Sequence, residues 1–411
     1  MPPLPLTSPP YDQLLALQSA GITLGLDRIR AVLKHLGHPE QQARTTLIVA
    51  GTNGKGSAAS TLSAAMSISS RKVGLFTSPH LVRPIERIRI DDRTVSWEQF
   101  DDAAEVVLRA VRETSISLSF FEAMTAMAFV LFERDGVEVQ ILEVGLGGRR
   151  DATRAATPTH TLVMGVARDH TRILGSSLAQ IAREKLGACS PGSENVFGLP
   201  PRLRQMCPAG WHLGTDVQWR GLSAGGVRVT TPLRAVRLPA VRLIGGHQRR
   251  NLALATAMGI RLGLTDEELA YGAANVQWPA RMQRLFNTPA TWLDGAHNPA
   301  AVARLIAMLP EVGLQPGYSL VFGAHPKKDA RPMLGRLAKH AGHVWLTSAD
   351  KLVAAESLQP HLRGRANVHV VADAGAAMDA ARAHGVPVLI AGSLYLAGAI
   401  LKHVEAMEIQ D

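Results

Sequence analysis

Residues 46–66, TLIVAGTNGKGSAASTLSAAM, decide how the rest of the chain is read. The run 46–50 has the length and apolar character of a buried strand. Gly51, Gly54 and Gly56 then punctuate a turn, and the spacing beyond them predicts a helix over 57–69. Glycines placed this way let the backbone curl until successive amides face one anion, and the start of the next helix adds its positive dipole end. The turn Gly51, Thr52, Asn53, Gly54, Lys55, Gly56 and Ser57 therefore reads as a phosphate loop. Lys55 would reach the β and γ phosphates of a nucleotide, and the Ser57 hydroxyl would meet a magnesium ion. The spacing departs from GxxxxGK[ST], because with Gly54 and Lys55 as its GK the first glycine falls on Val49, and Gly56 follows the lysine. The competing interpretation is a plain glycine turn with a solvated lysine. Phosphate binding is preferred because strand, glycines, lysine and helix occur in order, and because lysine is scarce here, nine against 35 arginines.

Outward from this loop, short apolar runs alternate with helix-period segments to the end of the chain, the pattern of a parallel sheet wrapped by helices, hence an α/β fold. Strands are predicted over 46–50, 73–77, 139–144 and 161–166, and helices over 57–69, 97–113 and 120–134. Residues 210–243 break the pattern with short alternating runs and many glycines and prolines, and read as a small antiparallel insert. A helix pair over 249–262 and 265–274 follows. The stretch 277–289, QWPARMQRLFNTP, has no periodicity, and a fresh alternation begins after it, with strands expected over 291–293, 319–322, 343–346, 368–371 and 386–390. Two domains are expected, 1–285 and a smaller α/β unit, 286–411.

A length of 411 residues suits two or three domains. With 46% hydrophobic and 19% charged residues, the chain is neither collagenous, coiled-coil nor disordered. Two cysteines, Cys189 and Cys207, make no disulfide framework and no cysteine-built zinc site. The first residues lack a basic segment followed by an apolar one, and the apolar run 386–400 is too short to span a bilayer, so a cytoplasmic protein is expected. The net charge of +10 comes from scattered arginines without basic runs or interleaved aromatics. That distribution points to small anionic ligands and away from nucleic acid or a membrane surface. A monomer is expected.

Two further strands finish in polar residues. The strand VQILEVG places Glu143 near its carboxyl end, and the run over 161–166 leads into Asp169 and His170. Ligands of open α/β sheets sit outside the carboxyl ends of strands, so Glu143, His170 and the phosphate loop would converge. A carboxylate, an imidazole and hydroxyls from Ser57 or Ser78 would make a magnesium shell bridging nucleotide phosphates. Taken singly, each of these residues has an ordinary reading as a solvated strand end or surface histidine. By periodicity alone Lys185, in SLAQIAREKLG, is a solvated helix end.

The motifs nevertheless resemble a known family. GTNGKGS (51–57), TSPHL (77–81), ERIRI (86–90), FFEAMTAMAF (120–129), EVGLGGRRDAT (143–153) and DHTRILGSSLAQIAREK (169–185) are similar to the folylpolyglutamate synthase and dihydrofolate synthase family of the Mur ligase group. The likeness continues through GGHQRRN (245–251), WPARMQ (278–283), LDGAHNP (293–299) and GSLYLAG (392–398). The resemblance implies a P-loop ATPase-like first domain with a mostly parallel sheet, a Rossmann-like second domain, and an ATP-dependent ligase. Its substrates would be L-glutamate and dihydropteroate or a reduced folate, joined through an acyl phosphate. It implies that residues 51–57 hold ATP, with Asn251, Arg281, Asp294 and His297 completing the nucleotide contacts across a cleft that closes. Ser57, Ser78, Glu143, His170 and Lys185 would surround two magnesium ions, Lys185 in carbamylated form, which reverses its reading as a solvated residue. Lys55, His170 and Lys185 would be catalytic. The pteridine would lie against Thr23, Leu24, Gly25, Phe121, Glu122, Arg150, Asp151 and Ala152. Departures fall after Lys185 (LGACSPG), at 325–330 (HPKKDA) and on the substrate side, where Arg150 and Arg154 stand at positions the family commonly leaves uncharged, so Arg149, Arg150 and Arg154 would favour a more anionic substrate. The alternatives are a paralogous ligase acting on another carboxylate and a non-catalytic nucleotide-binding protein.

Overall fold

Parallel strand pairing organises the chain from Thr45 onward. The structure, a computed structural model, describes residues 8–17, 25–222 and 225–408. The described residues of Pro5–Arg242, with Gln248–Gln277, form a larger unit; Leu243–His247 and the described residues of Trp278–Asp411 form a smaller one.

In the larger unit one sheet contains β1 (Thr45–Ala50), β2 (Val73–Phe76), β3 (Ile88–Ile90), β4 (Arg93–Thr94), β5 (Val139–Glu143), β6 (His160–Val163), β7 (Glu194–Phe197) and β8 (Trp211–His212). Its order is β4-β3-β2-β5-β1-β6-β7-β8, and every pair is parallel except β2–β3 and β3–β4 at one edge. The expected insert is partly confirmed: β9 (Gln218–Gly221), β10 (Val227–Thr230) and β11 (Ala235–Leu238) make a separate antiparallel sheet, while β8, at the start of that segment, extends the large sheet instead. The helices are α1 (Pro9–Ala16), α2 (Asp27–His35), α3 (Lys55–Met66), α4 (Trp97–Thr114), α5 (Phe120–Arg134), α6 (Thr171–Leu174), α7 (Leu178–Leu186), α8 (Gly246–Arg261) and α9 (Asp266–Asn275).

Alternation along β1 explains the layering. Ile48 and Ala50 enter one core with Phe76, Phe100, Phe129 and Leu142, while Leu47 and Val49 enter the other with Leu62, Ile141, Leu162 and Leu252. A strand sandwiched this way must be apolar on both sides, which is why TLIVA reads as a continuous run. Helix α3 lies in the second layer with Gly56–Met66 all buried, and its Ala/Ser composition is what a helix enclosed on all sides requires. Helices α4 and α5 start at capping boxes, Ser96 with Gln99 and Ser119 with Glu122.

The smaller unit is a six-stranded sheet in the order β12-β13-β17-β14-β15-β16, where β12 is Gln283–Phe286, β13 Thr291–Leu293, β14 Tyr318–Phe322, β15 Ala341–Thr347, β16 Val368–Val371 and β17 Val388–Ala391. Only β12 is antiparallel, pairing with β13. Its helices are α10 (Pro299–Met308), α11 (Ala330–Ala338), α12 (Ala374–Ala383) and α13 (Leu394–Glu408). Strand β12 lies in the stretch that lacked periodicity, and because it pairs within this sheet the units divide between Gln277 and Trp278, upstream of the expected 285. Among the described residues, no helix is long and apolar enough to cross a membrane.

Helix α9 packs on α3 at Gly272, where a Cβ would lie 2.6 Å from the Thr61 carbonyl oxygen and 2.8 Å from the Ala65 amide nitrogen. These are backbone atoms and cannot rotate aside. Gly272→Ala gains about 1 kcal/mol of helix propensity but suffers about 1–3 kcal/mol of overpacking. A net loss of stability is expected in chemical denaturation; an increase would mean that α9 shifts without strain.

Candidate functional site

The loops after β1, β2, β5 and β6 emerge from neighbouring strands of one sheet, at their carboxyl ends. After β1, Gly51 (φ 142°) and Gly54 (φ 89°) occupy backbone conformations that side-chain-bearing residues rarely adopt. Gly54 is needed for a second reason: a Cβ there would lie 2.6–2.8 Å from the Asn251 side-chain amide. Lys55 then opens α3, two residues earlier than the periodicity suggested. Thr52 ties this loop to the one after β6, donating its amide to the Gly165 carbonyl and accepting at Oγ1 from the Ala167 amide. Asn53 lies at the half-buried tip of the loop, and Gly56 and Ser57 are buried in the first turn of α3. Asn251, buried in α8, donates to Gln248 Oε1.

Glu143 ends β5 and is buried, with Oε1 3.8 Å from Lys55 Nζ and Oε2 accepting from the Ser78 amide at 3.1 Å. Glu143, Lys55 and Ser78 are thus brought together. Lys185 is also here, contrary to its reading as a solvated helix end. It is 4% exposed, and Nζ donates to the Gly51 carbonyl at 2.9 Å. Burial first, and then the Lys55 charge, push the Lys185 amine down to about 7, against the opposing pull of Asp169 and Asp151. The close approach of α7 depends on Gly148, where a Cβ would lie 2.9 Å from the carbonyl oxygens of both Glu184 and Lys185. His170 has a left-handed backbone (φ 49°) and an exposed side chain, with Nε2 3.8 Å from Asp169 Oδ1. Asp169 is the residue whose part the sequence reading missed: it is half-buried and attracts the Lys185 charge, and its adjacency to His170 in DH was the available signal.

The smaller unit has its own polar cluster. Asp294, buried after β13, accepts from the amides of Met282 (3.0 Å) and Ala296 (2.9 Å), and burial raises its carboxyl while the Arg281 charge lowers it. Ala280 (φ 54°) and Met282 (φ 44°) flank Arg281 in left-handed conformations unusual for such residues. His297 Nδ1 lies 2.9 Å from the Gly295 carbonyl oxygen. His247 and Arg304 belong to this cluster and were not singled out from the sequence. Burial, followed by the charges of Arg304 and Arg281, takes the His247 imidazole down to about 4.

Comparison with known proteins places the chain in a family. Residues 280–394 match the Mur ligase, glutamate ligase domain. The folylpolyglutamate synthase of Lacticaseibacillus casei is 32% identical over 91% of this chain and 92% of its own length. A probable bifunctional folylpolyglutamate synthase/dihydropteroate synthase of Haloferax volcanii is 33% identical over 93% of this chain, which spans only 49% of that longer protein. Among solved structures, Escherichia coli FolC in complex with DHPP and ADP superposes with a TM-score of 0.88 at 28% identity, covering 99% of this chain and 100% of that one. The bifunctional enzyme of Yersinia pestis complexed with AMPPNP and Mn ion gives 0.85 at 28% identity, covering 98% and 100%. The chain belongs to the folylpolyglutamate synthase and dihydrofolate synthase family.

The residues expected on the substrate side divide sharply. Thr23 and Leu24 lie outside the described residues, and Gly25 is half-buried. Phe121 is half-buried beside Phe76 and packs its ring against Gly145, where a Cβ would lie 2.6 Å away. Glu122 is occupied structurally: it accepts from the Ser119 amide and hydroxyl and from Arg28, whose Nη2 is 2.8 Å from Oε2. Asp151 is buried and accepts from the Leu146 amide and from the Thr153 amide and hydroxyl, holding the loop 145–153. Ala152 is buried beside it. Of the three arginines expected to favour an anionic substrate, Arg149 pairs with Glu184 and Arg154 donates to the Ala156 carbonyl, so both have structural partners; Arg150 is exposed.

The half-buried His247 predicts a loss of stability in acid. Its folded value lies below the ordinary 6.5, so the unfolded chain binds the extra proton first: the contribution to stability is fully present above about pH 6.5 and is lost as pH falls towards about 4. Thermal midpoints of the native chain should fall more steeply across that window than those of His247→Gln. Parallel curves would show that folding leaves the His247 imidazole at its ordinary value.

Proposed function

We propose that the chain joins L-glutamate to dihydropteroate, to a reduced folate or to both, using ATP. The observation that carries this reading is the meeting of Lys55, Glu143 and buried Lys185 beside the glycine loop at the carboxyl ends of β1 and β5. A carboxylate does not react with an amine until one of its oxygens can leave. The substrate carboxylate therefore attacks the γ-phosphorus of ATP, forming an acyl phosphate and releasing ADP. The glutamate amine then attacks the acyl carbon, and inorganic phosphate departs from the tetrahedral intermediate. Backbone amides of residues 51–57 and the start of α3 hold the nucleotide phosphates, and Lys55 offsets the charge on the transferring group. Arg281, Asp294 and His297 in the smaller unit, and Asn251 over Gly54, are assigned to nucleotide binding under the same proposal. Phe121, Gly25, Arg150 and the loop held by Asp151 are assigned to the pterin.

The donors suit magnesium. Glu143 is a buried carboxylate, and the Ser57 and Ser78 hydroxyls belong to the first turn of α3 and the loop after β2, an oxygen set that favours a hard divalent ion; the exposed His170 is proposed as a further ligand. When bound, such ions neutralise charge on the phosphates. Two magnesium positions are proposed. Lys185 completes the set as a carbamate: a neutral amine adds to carbon dioxide, a proton leaves, and a cation becomes an anion. An amine brought down to about 7 is substantially neutral at physiological pH, and the change of sign removes its repulsion with Lys55. The protein is proposed to act as a cytoplasmic monomer on small molecules, without nucleic acid or membrane partners.

Purified protein with ATP, magnesium and L-glutamate should release phosphate when dihydropteroate or tetrahydrofolate is added, with a product one glutamyl residue heavier. Lys55→Ala should lower kcat by about 10²–10³-fold. No stimulation of folded, ATP-binding protein by either acid would move the function to another carboxylate. Lys185→Ala should lose activity to a similar extent and recover part of it with added formate or acetate, which restores the missing anion. Absence of any such rescue would argue for the free amine as the working form.

A further inference from the structure

Far along the chain from the phosphate loop, three imidazoles meet in the smaller unit. Strands β15 and β16 are adjacent and parallel with Trp345 opposite His369, and His343, two residues before Trp345, shares its face of the sheet. His384 is the residue that ends α12, a helix packed on β15. One ring nitrogen from each of His343, His369 and His384 lies within 4.8 Å of the others. His343 Nδ1 and His369 Nε2 are 3.3 Å apart with nearly parallel rings, and the His343 and His384 ring centroids are 4.4 Å apart. His343 and His369 are half-buried and His384 is exposed, so the group opens to solvent on one side.

We propose that His343, His369 and His384 bind a borderline divalent transition ion, with Zn²⁺ the best fit. Three neutral imidazoles and no carboxylate suit Zn²⁺, Ni²⁺ or Cu²⁺, whereas magnesium and calcium require oxygen. A tetrahedral ion about 2.0–2.1 Å from each nitrogen separates its ligand nitrogens by roughly 3.4 Å. The His343–His369 pair already has that spacing, and His384 needs only a side-chain rotation at an exposed helix end. Its position at the carboxyl end of α12 adds partial negative charge next to the ion. Arg365, anchored on the Ala341 carbonyl, is the nearby like charge and limits the affinity. A bound ion would clip β15, β16 and the end of α12 together, and the fourth position would take water or an exchangeable ligand.

Buried Trp345 provides the reporter, since its ring stacks on His369 at 4.7 Å between centroids and meets His384 edge-on at 4.9 Å. The untagged full chain, saturated with Mg²⁺ and ADP, would be titrated with Zn²⁺ by calorimetry and tryptophan fluorescence, with further Mg²⁺ as control. The expected result is one Zn²⁺ per chain, a fluorescence change lost in Trp345→Phe, and a raised thermal midpoint. Affinity should weaken by at least about tenfold in His384→Ala, whose exposed site leaves the fold intact, and in His369→Gln. Circular dichroism of the metal-free variants would verify folding. Absence of saturable Zn²⁺ binding, or binding unchanged in both folded variants, would overturn the site and leave the 3.3 Å contact as a shared-proton hydrogen bond between two histidines.

Discussion

The Lys185 amine held against the Gly51 carbonyl is the contact on which the site depends. It joins residues 134 positions apart and buries a cation beside a second one, Lys55, an arrangement that low-dielectric surroundings strongly disfavour while both are charged. Several features exist to make it possible. Gly148 lets the loop after β5 press against the last turn of α7, and the hydrogen-bonded Asp151 carboxylate holds that loop in shape. Thr52 locks the glycine loop to the loop after β6. The amine is thereby fixed where its charge state bears directly on the glycine loop.

Burial alone does not mark a working residue in this protein. Glu122, Glu143 and Asp151 are all buried carboxylates. Glu122 accepts from its own helix start and from Arg28, and Asp151 accepts from three donors of its own loop, so both are compensated within the framework. Glu143 faces Lys55 of the glycine loop and the amide of Ser78, groups contributed by two other strand ends. Convergence of separate elements distinguishes it, and the same criterion draws attention to the three histidines of the smaller unit, which come from two strands and a helix end.

Much of the architecture was legible in the chain because periodicity and burial have one cause. A strand covered on both faces must be mainly apolar, and β1, β5, β14 and β17 are, with every residue buried except Thr45. Strand β12 escaped notice because its residues are half-buried or exposed at a sheet edge, where no pattern is imposed. Strand β8 escaped because two residues carry no period.

By itself, the sequence determined the α/β class, the glycine loop, the polar strand ends and the family motifs, since each is local or ordered along the chain. Only the tertiary structure decided that Lys185 is buried with its amine pushed down to about 7, that Glu122, Arg149 and Arg154 have structural partners, and that ring nitrogens of His343, His369 and His384 lie within 4.8 Å of one another. The physical reason is that charge state and ligand geometry depend on distances and dielectric surroundings, which are set by residues far away in the chain. Amphipathic spacing says which face of α7 turns inward, but only packing against the loops after β1 and β5 determines what its lysine meets there.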